Sequence, residues 1–234
     1  MTCSDFLESL GADYKKLKLL SDKNGALVLL LRNTRLSKDV ILKKYSSPVF
    51  AYDELKALRH RNLPEIYDTF TLDDGQIVLE EYIEGITVAQ VLESGTYTYS
   101  GAKRVLCDIC SALAPLHRRG IVHRDIKAEN VIISNEGRAY LIDFNASRHT
   151  SEKKSCDTVL LGTVGYAPPE QLGISQTDCR TDVYALGVLL NVMLTGEHPS
   201  RRLAGGKAKR IVLKCTSVSP EKRFKNVDKL MKAL

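Results

Sequence analysis

Residues 181–196, TDVYALGVLLNVMLTG, place apolar side chains on nearly every side of a helical pattern. Such a helix is buried all round, so the chain has to enclose it within other elements. A bilayer is not the alternative, because no stretch approaches the roughly 20 apolar residues that a spanning helix needs. The run ALVLLL at 26–31 stops at Arg32. With 234 residues, 44% hydrophobic and 26% charged, the chain is long enough to bury such a core as one large domain or as two lobes.

The pattern of elements changes near Gly85. Residues 1–10 read as a loose start or a short helix. From Leu17 to about Glu84 the signals are mostly those of strands: ALVLLLRN and DVILKKY are short apolar runs with β-branched content. One helical segment, AYDELKALR at 51–59, interrupts them. NLPEIYDTFTLDDGQIVLEEYIEG reads as two strands joined by a DDG turn. After Gly85, SGAKRVLCDICSALAPLHRRG carries Ala102, Val105, Leu106, Ile109, Leu113 and Leu116 on one helical face and ends at Gly120. VIIS, NEG and RAYLID then make strand, turn and strand, and RIVLKC and FKNVDKLMKAL supply further helices. There are no internal repeats and no low-complexity linker. The layout is α+β, with a small β-rich N-terminal part and a helical C-terminal part.

The net charge of +6 permits an acidic or phosphate-bearing partner without requiring nucleic acid. Six cysteines are scattered along the chain, and no secretory apolar region precedes them, so reduced thiols in the cytoplasm are expected. Cys107 and Cys110 have CxxC spacing but sit within a helical pattern with no second pair at zinc spacing, and read as helix residues.

The chemistry concentrates in HRDIKAEN, 123–130, which precedes the strand VII, and in Asp143, eighteen residues after Asp125. A carboxylate at Asp125 is able to accept or orient the proton of an incoming hydroxyl. Lys127 offsets charge on a moving phosphoryl group. Asn130 and Asp143 offer hard oxygen ligands for Mg²⁺. They flank a predicted hairpin, 131–134 against 138–142, which brings them together.

HRDIKAEN, DFN at 143–145 and APPE at 167–170 resemble the catalytic loop, the metal-binding motif and the end of the activation segment of the eukaryotic-like protein serine/threonine kinases. The likeness runs from about Tyr14 to the end, and HRNLPEIYD and HRDIKAENVII resemble bacterial members. It implies a two-lobed kinase fold in a single domain, about 12–84 and 85–234. It also implies ATP and Mg²⁺ as cofactors, protein Ser/Thr hydroxyls as substrates, no nucleic acid and no membrane. The roles follow by position: Asp125 the catalytic base, Lys127 the γ-phosphate contact, Asn130 and Asp143 the metal ligands. Lys43 of VILKKY matches the strand lysine that holds the α/β-phosphates, with Lys44 on the other strand face. Glu81 and Ile83 would offer backbone contacts to adenine. Glu170 matches a glutamate that pairs with a buried arginine, here Arg223. Asp182 matches the aspartate that braces the catalytic loop, and Thr163 the threonine that contacts the base.

Several positions depart from the family pattern. Against G-x-G-x-x-G-x-V the chain has SDKNGALV; aligning on Val28 leaves Ser21, Lys23 and Ala26 at the glycine positions, with Gly25 one place out of register. Glycines let backbone amides approach phosphates, so weaker or differently shaped nucleotide contacts, helped by Lys23, are expected. The helix glutamate that pairs with the strand lysine falls on Ala51, and Glu54 is the nearest candidate. Glu80 stands where an apolar or small residue is usual, unless the register shifts to Leu79. Asn145 replaces the glycine of DFG, a mild change because Asn tolerates the left-handed region. In the segment 146–161, Thr158 and Ser155 rank ahead of Thr150 and Ser151 as phosphorylation sites. The basic loop SRRLAGGKAKR, 200–210, reads as solvated. Two alternatives to a protein kinase stay open: a weak or inactive nucleotide-binding module, and a phosphotransferase acting on small hydroxylated molecules.

Overall fold

The structure, a computed structural model, describes residues 2–23, 25–150, 166–172 and 177–234. The chain divides into two compact units, Met1–His60 with Pro64–Ile83, and Arg61–Leu63 with Glu84–Leu234.

The first unit is built on one antiparallel sheet. A short helix, α1 (Cys3–Ser9), precedes it, started by a capping box in which Thr2 and Asp5 each accept the other's backbone N–H. The strands are β1 (Tyr14–Lys23), β2 (Ala26–Asn33), β3 (Lys38–Tyr45), β4 (Ile66–Leu72) and β5 (Gly75–Glu81), in the order β1-β2-β3-β5-β4. Alternation sorts their side chains. Leu29, Leu31, Val40, Leu42, Ile77 and Leu79 face one way and bury Cys3 and Phe6 of α1. Phe6 lies 4.5 Å from Phe70, ring centre to ring centre. The Cys3 N–H donates to Asp74 Oδ1 at 2.6 Å, tying α1 to the β4–β5 turn. That turn needs Gly75: its φ is 151°, and a Cβ there would stand 2.0 Å from the Tyr45 carbonyl oxygen.

Lys43 follows Leu42 and therefore points to the opposite face, where α2 (Ala51–Lys56) contributes the fully buried Tyr52. The expected helix 51–59 stops three residues early. Its last turn tightens as the Leu58 N–H donates to Leu55 O, an i to i−3 bond.

The second unit is mainly helical. β6 (Gly85–Thr87) leads into α3 (Val88–Ser94), capped by Thr87 and Gln90. α4 (Tyr99–Arg118) buries the apolar face read from the sequence, with Cys110 on it and Cys107 half-buried. Gly120, at φ 75°, ends the helix turn and leads into β7 (Ile121–Val122). β8 (Val131–Ser134) and β9 (Ala139–Leu141) form the predicted hairpin beside β6, and β10 (Arg148–His149) pairs with β7. α5 (Cys179–Thr195) is the apolar helix, buried from Thr181 to Met193 on almost every side and stopped by Gly196 in the left-handed region. α6 (Gly206–Cys215) and α7 (Val227–Ala233) complete the unit. α6 crosses α5 so closely that a Cβ at Gly187 would stand 2.3 Å from Cys215 Cβ.

Among the described residues the five cysteines form no disulfide, and no helix is long and apolar enough to cross a membrane.

Candidate active site

The second unit brings Asp125, Lys127, Asn130 and Asp143 together. Lys127 Nζ lies 2.8 Å from Asp125 Oδ2, and Asn130 Nδ2 donates to the same oxygen at 2.9 Å and to the Asp125 carbonyl at 2.8 Å. With its amide nitrogen turned to Asp125, Asn130 presents its oxygen on the other side. The Ile142 N–H donates to the Asn130 carbonyl at 3.0 Å, which holds Asp143 beside Asn130. The β8–β9 hairpin sets this meeting of two residues thirteen positions apart.

The loop backbone is strained and held from below. Arg124 and Asp143 have φ of 68° and 64°, in the left-handed region that costs non-glycine residues about 1–3 kcal/mol. Asp182, on the first turn of α5, offsets this. Its Oδ1 accepts the Arg124 N–H at 2.9 Å, and its Oδ2 accepts the His123 N–H at 2.9 Å and His117 Nε2 at 2.7 Å. Burial alone would raise the Asp182 pKa, but these bonds and the neighbouring imidazoles hold it below the ordinary value. Gln171 Nε2 donates to the Arg124 carbonyl at 2.7 Å. The loop is thus fixed at both its amides and a carbonyl.

His123 is buried, and burial lowers its pKa although Asp182, Asp125 and Asp143 pull the other way. Its bonds suit a neutral ring: the Asp125 N–H donates to Nδ1 at 3.3 Å, and Nε2–H donates to the Ile142 carbonyl at 3.2 Å. Phe144 stacks edge-on against it, 4.7 Å between ring centres.

Glu170 and Arg223 form the expected buried pair, with Arg223 Nη2 donating to Glu170 Oε2 at 2.9 Å while Nε donates to the Ser217 carbonyl. The pair braces the segment around 170. Thr163 and the candidate phosphorylation sites Ser151, Ser155 and Thr158 lie outside the described residues.

Lys43 sits in the first unit, and the carboxylate against its Nζ is that of Glu80, at 2.7 Å, with the side chains 6% and 5% exposed. Glu54 is the nearest helix candidate in the sequence, beside its reading as an ordinary solvated glutamate. Glu80 itself is buried on β5, so the alternative register with Leu79 in its place does not hold: Leu79 faces α1. Val28 pairs across from Lys43 on β2. The Glu81 N–H donates to the Glu65 carbonyl at 2.8 Å, and Ile83 follows buried. Lys44 turns to the other face, 4.0 Å from Asp74.

The SDKNGALV stretch is an ordinary hairpin rather than an open cradle. Lys23 pairs with Ala26, so only two residues separate the strands, and Gly25 has φ 75°. The Asn-Gly pair at 24–25 is the strongest short hairpin signal a sequence carries; matching the stretch to a glycine pattern obscured it.

The chain matches the protein kinase domain family over residues 38–233. It is 30% identical over 189 residues to a probable serine/threonine-protein kinase PknB of Lactococcus lactis, covering 80% of this chain and 29% of that protein. It is 34% identical over 211 residues to the serine/threonine-protein kinase PknL of Mycobacterium tuberculosis, covering 83% and 53%. PknB of Mycobacterium tuberculosis is 32% identical over 191 residues, covering 74% and 30%. The chain therefore spans from under a third to about half of the length of these relatives.

Proposed function

Because the chain belongs to the protein kinase family, we propose that it transfers the γ-phosphoryl group of ATP to serine and threonine hydroxyls of proteins. The observation that carries the reading is the shared oxygen of Asp125, held by Lys127 and Asn130, with the Ile142 N–H bonded to the Asn130 carbonyl so that Asp143 follows beside it. We read residues 1–234 as one kinase domain with lobes at about 12–84 and 85–234, working in the cytoplasm, where ATP is available and thiols stay reduced.

Members of the family use ATP and a divalent cation. The residues here fit one: the Asn130 amide oxygen and the Asp143 carboxylate are hard oxygen donors, the kind Mg²⁺ takes while keeping waters and substrate phosphates as its other ligands. When bound, Mg²⁺ would neutralise charge on the β- and γ-phosphates.

The chain's own groups do the rest. Asp125 orients the incoming hydroxyl and accepts its proton as the P–O bond forms. Lys127, already beside that carboxylate, is placed to meet the charge on the transferring group. Lys43 holds the α- and β-phosphates, Val28 packs on the nucleotide, and the backbone around Glu81 and Ile83 reads the base. The Lys–Asp–Asn bonding fixes the base before substrate arrives, so little reorganisation is left to the reaction. A lysine at 127 suits serine and threonine substrates.

The test is incubation with Mg-ATP and generic basic proteins, followed by mass spectrometry of both. Phosphoserine and phosphothreonine on the protein are expected. Transfer to small alcohols or sugars alone, or nucleotide binding with no transfer, would reject the reading.

A further inference from the structure

Lys43 and Glu80 are each out of place by themselves. A lysine 5% exposed and a glutamate 4% exposed stand among the buried residues of β3 and β5, next to Ile41, Leu42, Val78 and Leu79. Burying either ion alone is costly; together they explain each other. The register makes the meeting unavoidable. β3 and β5 run antiparallel with Ile41 opposite Glu80 and Lys43 opposite Val78. Residues 43 and 80 are then diagonal neighbours on one face, within reach of long side chains. Nζ to Oε1 is 2.7 Å. A second fixed contact comes from Tyr52, whose hydroxyl accepts from Lys43 Nζ at 3.2 Å and lies 2.8 Å from the Tyr45 hydroxyl. The two tyrosine rings stack at 5.6 Å.

We infer that Glu80 is the positioning residue for Lys43, so that the phosphate-holding lysine is set by the sheet itself rather than by a glutamate from helix α2. This rests on Lys43 being the lysine that holds the α- and β-phosphates, as proposed for the function. Ala51 stands where a helix glutamate would be expected, and α2 has only 6 residues. A carboxylate from the hydrogen-bonded neighbouring strand is a more rigid partner than one from a helix of under two turns. Lys43 is consequently placed once β3 and β5 pair, and no separate movement of α2 is required to bring it to its partner.

The experiment uses the full chain and four variants: Glu80→Gln, Glu80→Asp, Glu54→Gln and Lys43→Met. Three quantities are read: kcat and KM for ATP, thermal unfolding, and the rate at which Lys43 is acylated by a small amine-reactive probe, followed by peptide mass spectrometry. Glu80→Gln is expected to lower kcat/KM for ATP by about tenfold or more. It should also speed acylation, because a buried ammonium that loses a counter-charge sheds its proton more readily. Glu80→Asp should restore part of both. Ordinary kinetics and unchanged Lys43 reactivity in Glu80→Gln, with Lys43→Met inactive, would overturn the inference while leaving Lys43 its role. So would an equal or larger loss in Glu54→Gln. A drop in Glu80→Gln activity that comes with lower thermal stability and unchanged reactivity would also overturn it, reducing Glu80 to a packing role. Full transfer by Lys43→Met would instead overturn the reading of Lys43 on which the inference stands.

Discussion

Asp125 Oδ2 accepts a hydrogen bond from the Lys127 ammonium and another from the Asn130 amide. The Asn130 nitrogen donates to Asp125, and under the proposed function its oxygen is the atom offered to a cation. Asn130→Ala removes that oxygen and a hydrogen bond to Asp125 together. The Mg²⁺ concentration giving half-maximal transfer should rise by about 10- to 100-fold, the usual cost of losing metal-site support, and the maximum should fall as well. Titration of activity with Mg²⁺ in the variant and the parent measures both, and an unchanged half-saturation point would remove Asn130 from the metal site. His123 makes a different kind of statement. Burial holds its pKa below 6.5, and its two ring bonds need one protonated and one bare nitrogen. Its ring should take up a proton only at a pH below the ordinary histidine range. A ¹H–¹⁵N NMR titration that found the ring charging near the ordinary histidine pKa of about 6.5 would mean the imidazole is not sealed in this position.

Different elements hold the candidate residues of each unit. In the second, a turn-length hairpin and one aspartate at the start of α5 hold the whole loop. The strain at Arg124 is met by Asp182 and Gln171 bonding its amide and its carbonyl. In the first, the sheet has to be covered on the face away from Lys43, and α1 does this with Cys3 and Phe6. Phe6 is 8% exposed and packs on Phe70. Phe6→Ala is expected to destabilise the chain by about 3 kcal/mol, the low end for a buried phenylalanine because a single seven-residue helix can settle into the gap. Urea unfolding gives the number. A loss under about 1 kcal/mol, close to the range of ordinary surface changes, would show that α1 is not part of the first unit's core.

At the scale of the whole molecule, the second unit was legible where chemistry and local pattern coincide. HRDIKAEN and DFN name their own residues, and the alternation of VIIS and RAYLID around NEG was enough to foresee that Asn130 and Asp143 meet. The bracing role of Asp182 came from the resemblance to the family; its place at a helix start by itself suggested only an N-cap. What stayed hidden depends on register between segments distant in sequence. Glu80 and Lys43 are 37 residues apart, and nothing local in VLEEY says which strand face finds a lysine. A signal existed: alternation puts Lys43 on the face opposite Leu42 and Glu80 opposite Leu79, and a charge on a buried strand face asks for a partner of opposite sign. Helix α1 is hard to tell from loose chain because its seven residues are too few for periodicity to show, although Thr2 and Asp5 already spell a capping box. The Asn-Gly turn was there as well, under a pattern that asked for glycines at other places. The central claim, that Asp125 is the base of a protein kinase reaction, is tested most directly by single-turnover transfer from [γ-³²P]ATP to a basic protein, comparing the parent chain with Asp125→Ala. Transfer should fall by about 10²-fold or more, as for loss of a general base, while nucleotide affinity measured in parallel stays within about twofold, Asp125 not being a ligand of ATP or metal. Transfer at the parent rate in Asp125→Ala, with nucleotide bound equally well, would contradict it.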